Sequence, residues 1–246
     1  MHVQRRMSDL REVISTLQPD IIALQEVTQT CLDHFLDTDE NDHSLDDYCI
    51  YDSDSATVQR SPSLYEEEEV CLFEGTPDPP KSHFLVILSK YGLCDLRRTL
   101  FPTTVHQRYM MTGTFVHPLT HKKYFLCNTH LESYPHHQSI RHEQLRYCFS
   151  SALSSDADIK VVIGDCNILE TDPPFKSLKG FHDAWLDVHD HQEGWTYDSS
   201  CNPLIRGKFK GRIDRLYVKG TSCLCAWVIR DPILSDHFGL YMELEG

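Results

Sequence analysis

The run Val161-Val162-Ile163, stopped by Gly164 and followed at once by Asp165 and Asn167, constrains this chain more than any other stretch. Three β-branched residues in succession suit a buried strand. If extended geometry persists past Gly164, the side chains of Asp165 and Asn167 point the same way. A carboxylate and an amide then share the mouth of a sheet, a pairing able to take a proton from water and hold an anionic group beside it.

Other segments supply the layers such a strand needs. Leu10, Val13, Ile14 and Leu17 fall on one helical face, with Ser8 as the expected cap and Pro19 as the stop. Ile21–Leu24 follows as a buried strand that ends at Gln25 and Glu26. Strands are expected at 83–88, 96–101, 108–116, 123–128, 213–218, 227–230 and 239–244. A helix face built on Ile140, Leu145, Cys148, Phe149 and Ala152 runs into the Val161 strand. Residues 175–178 and 181–188 are expected as short helices. Many strands with few helices between them point to two packed mixed sheets flanked by helices, not to a doubly wound parallel fold.

Charge is unevenly spread. Asp33–Pro80 carries 15 acids against one base, Arg60, which leaves 22 of the chain's 37 acids and 22 of its 23 basic residues for the rest. The net charge of −14 therefore belongs to one segment, and the acidic pI does not exclude nucleic acid as a partner of the body. Residues 37–80 are expected as an acidic, mobile insertion within a single domain spanning 1–246, with short strands near 48–51 and 70–73. No apolar run reaches the roughly 20 residues of a membrane helix. The ten cysteines include no Cys-x-x-Cys, which argues against a zinc or disulfide framework and for a reducing compartment.

The residues that carry chemistry sit at strand ends. Glu26 follows four apolar residues, where a carboxylate needs a partner or a cation unless it is simply a loop acid. His130 ends the 123–128 strand, in a position that suits either a structural or a reacting imidazole. Asp165-x-Asn167 is also a common turn pattern. Asp214 lies inside a strand and needs a partner, for which Arg212, Arg215 or a histidine are candidates. Asp236-His237 precedes the last strand. The ordered set Q-E (25–26), T-H-L-E-S (129–133), G-D-C-N (164–167), R-I-D-R (212–215) and S-D-H (235–237) resembles the endonuclease/exonuclease/phosphatase superfamily of metal-dependent phosphodiesterases.

The likeness covers about residues 8–30 and 82–246 and implies a four-layer α/β/β/α sandwich. Within the superfamily, L-Q-E-V (24–27), F-P-T-T (101–104), the segment holding Arg141 and Gln144-Leu145, and W-T-Y-D (195–198) look most like the tyrosyl-DNA phosphodiesterase branch. That branch typically has Trp where this chain has Tyr197, and a basic residue where Ile168-Leu169-Glu170 stands. The resemblance further implies a first strand carrying Trp-Asn ahead of residue 1, so the chain reads as N-terminally incomplete.

What the resemblance implies for chemistry is specific. Glu26 and Asp236 would hold Mg²⁺, with Mn²⁺ as a substitute. Asp165 and Asn167 would position and deprotonate the attacking water, His130 and His237 would contact phosphoryl oxygens, and Asp214 would orient His237. Arg141, Lys208, Lys210 and Arg212 would contact the DNA backbone, and Trp195 and Tyr197 would stack on a base or a tyrosyl group. The expected activity is hydrolysis of 5′-phosphotyrosyl–DNA bonds by a nuclear or cytoplasmic monomer, with a protein partner for the acidic insertion. The alternatives are another phosphodiesterase of the superfamily, of the abasic endonuclease, deadenylase or inositol phosphatase type, or a non-catalytic relative that binds nucleic acid or a partner.

Overall fold

The computed structural model describes residues 3–38, 42–53, 58–59, 83–169, 172, 179–190 and 193–246. The chain runs α1 (Val3–Leu17), β1 (Ile21–Val27), α2 (Gln29–Leu36), β2 (Cys49–Asp52), β3 (Val58–Gln59), β4 (Phe84–Ser89), β5 (Cys94–Leu100), β6 (Tyr109–Val116) and β7 (Lys123–His130). A 3-10 turn (Pro135–His137) then leads to α3 (Gln138–Ser154), β8 (Ile159–Asp165), β9 (His182–Asp183), α4 (Trp185–Val188), β10 (Tyr197–Asp198), β11 (Lys210–Gly211), β12 (Asp214–Lys219), β13 (Cys223–Ile229) and β14 (Gly239–Leu244).

Two sheets carry the architecture. One has strand order β1-β4-β2-β3 and the other β5-β6-β7-β8-β12-β9, with β7 and β8 parallel and their neighbours antiparallel. Alternation along each strand builds the layers. On β4, Leu85 and Ile87 face the core between the sheets, while Phe84, Val86 and Leu88 face α1 and α2. On β8, Ile159 and Val161 join the inter-sheet core, while Val162 packs under Leu145, Cys148, Phe149 and Ala152 of α3. The order is therefore helices, sheet, sheet, helix, as the resemblance implies. The cysteines among the described residues are all free, and Cys127, Cys148 and Cys166 are buried core residues.

Several local expectations are corrected. Ser8 does not cap α1, because the helix already runs from Val3, with Arg6 donating to the Leu234 carbonyl at 3.1 Å. β1 is only half-buried, since it pairs with β4 on one edge and with no strand on the other among the described residues. The acidic stretch is not all insertion: Leu45, Tyr48, Ile50 and Tyr51 are core residues, and β2 pairs with β4 throughout its length. Residues 181–188 are a two-residue strand followed by one turn of helix, because His182 and Asp183 pair with Val218 and Tyr217 of β12. The expected strand at 70–73 and helix at 175–178 lie outside the described residues. No helix among the described residues is long and apolar enough to cross a membrane.

Candidate active site

The strand that opened the sequence argument sets the site by its register. His130 of β7 stands beside Asp165 of β8, and Asp165 stands beside Asp214 of β12. Three functional side chains thus form one row across three neighbouring strands. Gly164 makes the row possible. Its φ is +142°, and a Cβ there would lie 1.9 Å from the Thr129 carbonyl oxygen, so only glycine lets β7 and β8 approach this closely.

Within the row, His130 Nε2 lies 3.2 Å from Asp165 Oδ2. Arg108 Nη1 lies 2.9 Å from His130 Nδ1. A guanidinium only donates, so Nδ1 accepts and the ring hydrogen sits on Nε2, toward Asp165. Burial works against a charged Asp165, but His130, His237 and the Asn167 amide hold its carboxyl below the usual range. His237 Nδ1 lies 2.9 Å from Asp214 Oδ2, and its Nε2 is 4.0 Å from Asp165 Oδ2. Burial disfavours a charged His237 ring; Asp214, Asp165 and Asp236 overcome that and raise it to about 10. The surrounding carboxylates thus favour a hydrogen on both ring nitrogens, of which Nδ1 donates to Asp214. Tyr197 stands edge-on to it at 5.1 Å.

Glu26 approaches from the other sheet. A β-bulge interrupts β1 between Leu24 and Val27, and Glu26 takes a φ of 54° in it. Its carboxylate lies 3.6 Å from His130 Nδ1 and 3.8 Å from Arg108 Nη1. Glu26, His130, Asp165, Asp214, Asp236 and His237 all line one cavity of about 470 Å³, walled by β1 on one side and the start of β14 on the other.

Three residues with no signal of their own in the sequence hold this arrangement. Asn128 is fully buried, donates to the carbonyls of Leu24 and Val86 in the opposite sheet, and accepts from Gln25 Nε2 at 2.8 Å. Arg108 orients His130 and also donates to Ser133 Oγ at 3.0 Å. Asn202, 1% exposed, donates to the carbonyls of Ser235 and Asp236 and so fixes the loop that carries His237.

Other expected site residues fall elsewhere. Asn167 does not share the extended direction of Asp165. The strand ends at Asp165, Asn167 turns into the left-handed region at φ 51°, and its side chain donates to the Leu131 carbonyl. Arg141 is not a DNA contact but a buried clamp, 1% exposed, on the carbonyls of Glu132 and Tyr134 and on Asp172. Arg212 is likewise spent, 1% exposed and bidentate on Asp183. Lys208 and Lys210 are exposed; Lys210 lies 5.0 Å over the half-buried Trp195 ring and 3.6 Å from Asp198.

The three-ligand group in the cavity is Asp165, Asp214 and His237, with ligand atoms within 4.8 Å of one another, and Glu26 and Asp236 stand outside it. With a hydrogen on both nitrogens, the His237 ring has no lone pair to offer an ion. The cavity also carries the carboxylates of Glu26 and Asp236, oxygen donors that fit a hard divalent cation with water completing its shell.

The sequence model of the Endonuclease/Exonuclease/phosphatase family matches residues 2–237. Among curated proteins, none matches the sequence. Of solved structures, a truncated TDP2 from Caenorhabditis elegans is similar at 22% identity and a TM-score of 0.72, over 97% of this chain and 89% of that one. D. rerio TDP2 complexed with a single strand DNA product is similar at 18% identity and a TM-score of 0.77, over 100% and 94%. An endonuclease/exonuclease/phosphatase family protein from Leptotrichia buccalis is similar at 15% identity and a TM-score of 0.69, over 98% and 93%. At these identities the likeness speaks to the fold.

Proposed function

Since the chain belongs to the Endonuclease/Exonuclease/phosphatase family, whose members are hydrolytic nucleases and phosphatases, we propose that it is a Mg²⁺-dependent phosphodiesterase that hydrolyses 5′-phosphotyrosyl–DNA bonds. The observation that carries the reading is the row His130–Asp165–Asp214, closed by His237 and faced by Glu26 across one cavity. The superfamily motifs G-D-x-N and S-D-H, with the branch-like T-H-L-E-S, fall on that row and its rim. The fold likeness to TDP2, one of whose structures holds a single strand DNA product, supports the choice of substrate.

In this reading the chain's own groups do most of the work. Asp165, kept ionised, accepts the proton of the attacking water. His237, kept protonated by Asp214, donates to a phosphoryl oxygen as negative charge develops. His130, held by Arg108, directs its Nε2 hydrogen at Asp165 and stands in the same cavity, within reach of a phosphoryl oxygen as the resemblance implies. Asn167 supports Asp165 through its backbone N–H at 2.9 Å. Glu26 and Asp236 would hold Mg²⁺, which when bound stabilises negative charge on the phosphate or leaving oxygen. Tyr197 stands beside His237, where a stacked base or tyrosyl ring would lie, and Lys208 and Lys210 meet the backbone of the strand. The enzyme works as a monomer in the nucleus or cytoplasm.

The test is release of 5′-phosphate from a 5′-tyrosyl oligonucleotide with Mg²⁺. Wild-type protein is expected to release it, and Asp165→Ala to lose at least about 100-fold in kcat/KM without loss of folding. No release by folded wild-type protein would sink the assignment. Cleavage instead of an abasic site, an inositol phosphate or poly(A) would move it to another branch of the family.

A further inference from the structure

A second group of metal-ligating side chains lies apart from the cavity. His106 comes from the loop between β5 and β6, Glu132 follows β7, and His137 closes the 3-10 turn before α3. One ligand atom from each lies within 4.8 Å of those of the other two. None of the three lines the cavity described above.

The carboxylate at the centre is aimed. Glu132 is fully buried, at 0% exposed. Its Oε1 accepts from Thr104 Oγ1 at 2.7 Å, from the Val105 amide at 2.6 Å and from the His106 amide at 2.9 Å. Those three donors leave Oε2 facing imidazoles. His106 Nδ1 is in hydrogen-bonding contact with it, and His137 Nδ1 is 4.0 Å away. The His137 ring is fixed by the Ser133 carbonyl, 2.9 Å from Nδ1, and by the His136 ring packed on it at 4.1 Å.

We propose that His106, Glu132 and His137 form a second metal site, one that takes Zn²⁺. Two imidazole nitrogens and one carboxylate oxygen are a three-ligand set that zinc accepts, with water in the fourth position. Imidazole donors favour such a borderline ion over Mg²⁺ or Ca²⁺, which seek oxygen. The donors on Oε1 act as the outer partners that orient a ligating carboxylate. Zinc bonds of about 2.0–2.2 Å need the three atoms drawn closer, and the exposed His106 loop provides the movement. Binding displaces the hydrogen that His106 Nδ1 shares with Glu132 Oε2; the neutral ring then carries its hydrogen on Nε2, and His137, whose Nδ1 hydrogen stays on the Ser133 carbonyl, binds through Nε2.

The position gives the site a consequence. Zinc would tie the 101–108 loop to the 133–137 turn. Arg108, two residues after His106, reaches both Ser133 Oγ and His130 Nδ1. Occupancy therefore stiffens the arm that orients His130. The site itself rests on ligand geometry and stands whether or not the substrate is the one proposed above.

The test is titration of the full chain with ZnCl₂ against a chromogenic chelator, with CoCl₂ as a spectroscopic probe of ligand geometry. With Mg²⁺ in excess to hold the carboxylate site, the expected result is one zinc per chain, with affinity falling at least about tenfold in His106→Ala and in His137→Ala and kept in Asp236→Ala. Zinc should also raise the melting temperature of wild-type protein but not of His106→Ala, whose own melt shows that it is folded. If His137→Ala does not fold, His137→Gln takes its place. Unchanged zinc affinity in both the His106 and His137 variants, or a loss confined to Asp236→Ala, overturns the site.

Discussion

Asp183→Asn is the perturbation whose cost can be worked most fully from the structure. Asp183 is 7% exposed and sits between Arg212 and Arg215, which are 1% and 6% exposed. Arg212 donates to both of its oxygens, at 3.1 and 2.9 Å, Arg215 donates at 2.7 Å, and the Trp185 amide donates at 3.2 Å. Four donors thus converge on two acceptor oxygens. Asparagine keeps one oxygen and turns an NH₂ toward guanidinium groups that only donate. The buried triad goes from a net charge of +1 to +2. Removing one member of a buried ion pair costs about 3–5 kcal/mol, much of it from the charge left uncompensated. For a chain of this size that corresponds to a fall of roughly 6–20 °C in Tm. The assay is a thermal melt by circular dichroism with urea unfolding as a check, and with Asp190→Asn, an exposed acid, as control. A pH series adds a signature. The folded Asp183 carboxyl is held below its ordinary value, because the two arginines outweigh its burial. Its stabilisation is therefore present above the unfolded value near 4 and is lost as pH falls through the folded one. The gap between wild type and variant should be widest at neutral pH and close in acid. A loss under about 1 kcal/mol, or a gap that ignores pH, refutes the reasoning.

Asp214→Asn should let His237 titrate well below about 10, as read by imidazole NMR; since the raised value stabilises the folded state only below it, wild-type stability should fall as pH rises through about 10 while the variant shows a flatter profile. Arg108→Met should lower kcat roughly tenfold to a hundredfold with little change in KM, the scale seen when the partner that orients an imidazole is removed, and Arg108→Lys should recover part of it. Arg141→Met should lower stability and leave the salt dependence of DNA binding unchanged, whereas Lys208→Ala and Lys210→Ala should each reduce the slope of log K against log salt by about one; an altered slope in the Arg141 variant would return that residue to the interface.

The strands were legible wherever β-branched and apolar residues ran together, as at 84–88 and 161–163, because burial on both faces leaves that mark directly in composition. The acids and histidines of the row were legible because charged residues at the ends of such runs are conspicuous. What could not be read was pairing over long separations. Arg141 and Arg212 look like surface charges until Asp172 and Asp183 return from other parts of the chain to meet them. The helical reading of 181–188 failed for a related reason, since β12 supplies His182 and Asp183 with strand partners that no local pattern announces. Asn167 shows the limit of extrapolating periodicity, because one residue in the left-handed region ends the alternation on which the argument rested. Tyr48 falls in the strand expected near 48–51, whereas Leu45 sits amid acids that mask its apolar character, so its place in the core has no local mark.

Asn128 has a mechanical consequence. Apolar side chains resist pulling two sheets apart, but their attraction has no direction and does little to oppose sliding one sheet over the other. Hydrogen bonds are directional, and Asn128 spends its amide on the far sheet, on Leu24 and Val86, while Gln25 reaches back to its oxygen. The lateral offset between the sheets is thereby pinned two residues from His130 and beside Gln25, as it is pinned elsewhere by the Tyr109 hydroxyl, which meets Ser53 Oγ and the Leu85 amide. Sliding of one sheet over the other is therefore opposed directly beside the strand end that carries Glu26.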